Sequence, residues 1–102
     1  MGGRGSGGGG GSNKGAGGST EDRILAAIDR LASRSGWTSM ADLRDSLSGL
    51  SRAEQDAALR QMLRAGKIRI IPVAEPGKLT ARERAAAIMI GGEANEVIRV
   101  LR

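Results

Sequence analysis

The stretch DLRDSLSGLSRAEQDAALRQML, from Asp42 to Leu63, decides how this chain is read. It holds most of a short helix, a tight turn and the greater part of a longer helix. The short helix is predicted over Met40 to Leu47, with Met40, Leu43 and Leu47 on its inner side. Ser39 stands at its cap, and Asp42 completes a Ser-x-x-Asp start signal. Ser48-Gly49-Leu50 reads as the turn, with Gly49 supplying backbone freedom. Ser51 and Glu54 form a capping box for the longer helix, which is expected to run to Ala65 and stop at Gly66. Ala58, Leu59, Met62 and Leu63 share its inward side.

Working towards the N-terminus, Ile24, Leu25, Ile28, Leu31 and Ala32 give a helical stripe over Thr20 to Arg34. Ser19 or Thr20 can cap it, and Glu21 and Asp22 suit the positive end of its dipole. Ser35-Gly36 is expected to end it, with Gly36 in the left-handed region. Gly36 to Ser39 then forms a short extended link. Trp37, the sole aromatic residue, is expected to anchor the core.

Towards the C-terminus, KIRIIPV (Lys67 to Val73) is β-branched, and Ile68 and Ile70 alternate with Lys67 and Arg69, so it reads as a strand. Pro72 places its end near a sheet edge. EVIRVLR (Glu96 to Arg102) reads as a second strand, antiparallel to the first. Their connection, Ala74 to Asn95, is long. Glu75 to Lys78 is a turn. Thr80 and Glu83 form another capping box, for a helix expected from Ala81 to about Ile90 and closed by Gly91-Gly92. Ala85, Ile88 and Met89 would face the core.

Composition bounds the function. Residues 1–19 contain 11 of the 17 glycines, cannot bury enough apolar surface to order themselves, and read as a disordered tail or linker. They lack the apolar stretch of a signal peptide. Residues 20–102 then form one small domain. The chain has no cysteine and no histidine, which removes disulfides, thiolate metal sites and the commonest general base. No apolar run approaches membrane-spanning length, so a cytoplasmic location is expected. The net charge is +5; all 11 acids and 14 of the 16 bases lie beyond the tail. That bias permits nucleic-acid binding without requiring it. No catalytic group, metal ligand set or cofactor motif is recognisable. The glycine run lacks the Gly-Lys-Ser/Thr ending of a phosphate loop.

The order helix, link, helix, turn, helix, strand, loop, strand resembles the winged helix-turn-helix superfamily. The residues that carry it are SMADLRDSLSGLSRAEQDAALRQMLRAGKIRIIPV (Ser39 to Val73) and the closing EVIRVLR. The resemblance implies an α+β fold: a three-helix core and an antiparallel β-hairpin, here with a helix inside the wing. That departs from the short basic wing of simple members. It also implies a non-enzymatic DNA-binding protein, a small bacterial or phage regulator or accessory factor, with its third helix in the major groove of double-stranded DNA. At about 100° per residue, Ala53, Ala57, Arg60 and Arg64 point outward, so small residues would approach bases and arginines would meet phosphates or guanine edges. Ser51 and Arg52 would contact the backbone near the helix start. Lys67 and Arg69 would extend the basic strip, and Lys78, Arg82 and Arg84 would add wing contacts. Beside this stands another reading. Arg52–Asp56 and Asp56–Arg60 have pairing spacing, as on a solvated face. The domain would then be an assembly module that binds a protein or a second copy of itself through Ile88, Met89 and Ile90.

Overall fold

The computed structural model describes residues 19–101; the tail read over residues 1–19 lies outside the described residues except for Ser19, which caps α1 instead, and Arg102 lies outside them too. Among the described residues, four helices and five short strands follow one another. They are α1 (Thr20–Leu31), β1 (Thr38–Ser39), α2 (Met40–Ser46), α3 (Arg52–Arg64), β2 (Ile68–Ile71), a 3-10 turn (Pro76–Lys78), α4 (Ala81–Ala86), β3 (Ile88–Ile90), β4 (Glu93–Asn95) and β5 (Val97–Val100). The architecture is α+β. β5 lies between β1 and β2, antiparallel to both, and β3 and β4 form a separate antiparallel hairpin. Ile98 stands opposite both Thr38 and Ile70, which fixes the register of the three-stranded sheet. Among the described residues no helix is long and apolar enough to cross a membrane.

One apolar cluster joins the layers. Ile24 and Ile28 of α1, Met40 and Leu43 of α2, Leu59 and Met62 of α3, and Ile68 and Ile98 of the sheet are fully buried. Each such side chain contributes about 1.5–3 kcal/mol of burial free energy. The two capping boxes read from the sequence form, and Ser19, one of the two caps offered for α1, makes a third. Ser19 with Asp22, Ser51 with Glu54 and Thr80 with Glu83 each exchange reciprocal side-chain-to-backbone bonds.

Several expectations are corrected. α1 ends at Leu31, because Ala32 turns to extended geometry and Ser33 bonds the carbonyl of Trp37 with both its amide and its hydroxyl. Ser39 caps α2 through the amide of Ala41, not that of Asp42, whose carboxylate is taken by Arg82. Gly49 does not adopt a left-handed conformation; Gly36, Gly66, Gly91 and Gly92 do. The helix expected to reach Ile90 stops at Ala86, and Ile88–Ile90 is a strand paired with Glu93–Asn95. Two β-branched residues before a Gly-Gly pair with φ of 59° and 81° make the two-residue hairpin turn that matches strand twist. That local preference overrides the alanine run. Ile88 is buried, but Ala85 and Met89 are exposed rather than inward.

Trp37 is also not a core residue. Thr38 points inward, so its neighbour Trp37 lies on the sheet's other side, half-buried, with the guanidinium of Arg99 5.2 Å from its ring centroid. The core closes with aliphatic residues alone.

Candidate nucleic-acid interface

α3 is positioned by its own amphipathic pattern. Gln55, Leu59 and Met62 are buried, and Ala53, Ala57, Arg60 and Arg64 are exposed along the opposite side. The four outward residues therefore share one helix face, as the 3.6-residue period requires. Arg60 and Arg64 stand one turn apart, about 6 Å along the axis.

The other basic residues expected at this site are mostly occupied. Ser51 is consumed as the helix cap, its hydroxyl accepting from the amide of Glu54 at 3.0 Å. Arg52 donates to the carbonyls of Ala85 and Ala87 at 3.0 and 2.8 Å, and its Nε lies 3.8 Å from Asp56. Arg60 donates to the carbonyl of Met89 at 2.8 Å instead of pairing with Asp56. Arg64 donates to Gln61, and Lys67 pairs with Glu21, both at 3.0 Å. Lys78 pairs with Glu75 at 3.3 Å, while Arg84 donates to the carbonyl of Leu79. Arg82 lies over α2, bonded to Asp42 and Asp45, which raises its pKa. Arg69 alternates with buried Ile68 and Ile70, so it projects from the outer side of the sheet. The continuous basic strip expected from α3 to Arg69 is therefore broken, and Lys78, Arg82 and Arg84 do not join the α3 face.

The sequence reading missed a seam. Arg44, on α2, donates to the carbonyl of Ala86 at 2.6 Å, to Gln55 at 3.0 Å and to Asp56 at 2.9 Å. Burial lowers its pKa, and its bond to Asp56 works against that shift. Gln55 completes the network by donating to the carbonyls of Leu47 and Leu50 at the α2–α3 turn. The physical reason lies in α4. Its six residues leave carbonyls unpaired at its negative end. Ala85, Ala86 and Ala87 therefore take guanidinium donors from α2 and α3. The signal in the sequence was the shortness of the alanine run, whose last carbonyls need donors from side chains or water.

The hairpin that follows α4 is tied to α3 by Arg60, yet its turn brings no base. Gly91, Gly92 and Glu93 are its exposed tip, and Met89 is 51% exposed. Comparison with known proteins finds no family model, no curated protein and no solved structure that matches this chain.

Proposed function

We propose that this domain is a non-enzymatic DNA-binding module of the winged helix-turn-helix type, with α3 as the helix that enters the major groove. The observation that carries this reading is the exposed face of Ala53, Ala57, Arg60 and Arg64. Small residues at the front of the helix admit it to the groove, and two arginines behind them meet phosphates or guanine edges. The sheet order and the hairpin beside α3 agree with the type. The contact set is smaller than the sequence suggests. It consists of Arg60 and Arg64, with Ala53 and Ala57 between them and the bases. Arg52 is left out because both its terminal nitrogens donate to carbonyls and its Nε faces Asp56, whereas Arg60 gives one nitrogen to the Met89 carbonyl.

A second reading is an assembly module, favoured by Met89, which stands exposed on a hairpin without a basic residue.

Fluorescence anisotropy of a labelled random-sequence duplex, titrated at several salt concentrations, tests the proposal. Binding should weaken as salt rises, with a log–log slope near −0.9 per phosphate contacted. Arg60→Ala with Arg64→Ala should lower affinity for every duplex and reduce that slope by about two. No binding at low salt, or full binding by the double variant, would remove α3 as the reader.

A further inference from the structure

The face of the sheet away from the helices is built unlike a solvated surface. Strand alternation sends Ile68, Ile70 and Ile98 into the core and turns Arg69, Ile71, Val97 and Arg99 outward. Trp37 joins them beside Arg99. Ile71 and Val97 are not packed against the core cluster, and Leu101, at the end of the same face, is 45% exposed. No carboxylate occupies an outward position on these strands. Glu96, which precedes β5, is buried and accepts from the amide of Val73.

Charge is left over here. Arg69 and Arg99 stand directly opposite each other across the β2–β5 ladder. Like charges in that register are unfavourable unless something neutralises them. Arg99 is drawn aside over the indole of Trp37. Arg69 makes no hydrogen bond or ion pair with any described residue. Two guanidiniums flanked by aliphatic side chains call for a ligand that brings anions and apolar groups together.

We propose that the outer face of the sheet, centred on Arg69 and Arg99, docks an acidic, aliphatic segment of a partner protein. Carboxylates of that segment would pair with the two guanidiniums, and its aliphatic side chains would cover Ile71, Val97 and Leu101. A nucleic-acid strand fits less well. Base stacking needs open aromatic rings, and the one indole here is already covered by Arg99. The surface is separate from α3 and does not depend on the DNA reading.

The test is to pan a phage-displayed library of random peptides, about a dozen residues long, against the full chain. Enriched peptides should combine Asp or Glu with Leu, Ile or Val. They should perturb the emission of Trp37, which reports on this face alone because the chain has one tryptophan. Arg69→Glu with Arg99→Glu should weaken them about tenfold or more, while Arg60→Ala with Arg64→Ala leaves them unchanged. Arg99 packs on Trp37, so Arg69→Glu alone serves as the variant that cannot disturb packing, with a thermal melt confirming its fold. The proposal fails if the enriched peptides lack acids or if they bind both charge-reversed variants normally. It also fails if the Arg60/Arg64 variant loses them equally, or if a single-stranded oligonucleotide takes their place on Trp37.

Discussion

Two regions of this small domain are rich in arginine, and they use it in opposite ways. Along the seam between α2, α3 and the α4 hairpin, Arg44, Arg52 and Arg60 donate to backbone carbonyls of residues 85–89. On the outer face of the sheet, Arg69 bonds nothing described and Arg99 rests on an indole. The side chains are chemically identical. What differs is the local demand. A six-residue helix and a short edge strand present carbonyls that the seam arginines reach, whereas Arg69 and Arg99 project from the face of a sheet whose carbonyls lie in its plane. Exposure alone therefore does not mark an arginine as available to a ligand; whether its donors are already spent does.

The contrast can be broken at its strongest point with Arg44→Ala. That change takes a donor from the Asp56 carboxylate, the side-chain oxygen of Gln55 and the Ala86 carbonyl together, and should cost about 3 kcal/mol in urea unfolding. A loss below about 0.5 kcal/mol would mean the seam merely decorates a fold held elsewhere. Next in size is Gly92→Ala, which forces a side chain into a left-handed conformation at about 1–2 kcal/mol. Hydrogen exchange should show the loss first in β3 and β4, with α1 to α3 still protected. Uniform loss of protection would show that the hairpin and the helices unfold as one unit.

A smaller effect sharpens the distinction between structural and available charge on α3 itself. The Glu54 carboxylate accepts the amide of Ser51, which holds its pKa below the ordinary value. A carboxyl depressed by folding stabilises above its unfolded pKa and loses that contribution as pH falls through the folded one. Glu54→Gln should therefore melt below the parent near neutrality, and the gap should close below about pH 4. A gap that persists in acid would assign the difference to something other than the carboxylate. Smallest of all is Arg69→Ala, expected to stay within about 0.5 kcal/mol of the parent. A larger loss would show that Arg69 has a structural duty after all.

Much of the framework was legible because it rests on local rules. Two capping boxes, the apolar stripes of α1 to α3 and the alternation of β2 need only neighbours in sequence to be read. The outward face of Ala53, Ala57, Arg60 and Arg64 followed from the same periodicity. Part of what escaped is a local signal that another pattern outweighed, and part depends on distant parts of the chain. Ile88 and Ile90 look like the end of an alanine-rich helix until Gly91-Gly92 folds them onto Glu93 to Asn95. Trp37 looks like an anchor until Thr38 is seen to take the inward position. Arg52 looks like a phosphate contact until α4 ends beside it, with the carbonyl of Ala85 33 residues further along the chain but only 3.0 Å away in space.

The order of the sheet has a consequence for how the domain is made. β1 and β2 never touch as strands; each is joined to the sheet only through β5. β5 is the last of the described strands, so in any state in which it is detached Ile68 and Ile70 have no strand to pair with. Their open edge is then a template for a neighbouring chain. The charge on Arg69, in the middle of that waiting strand, discourages such pairing.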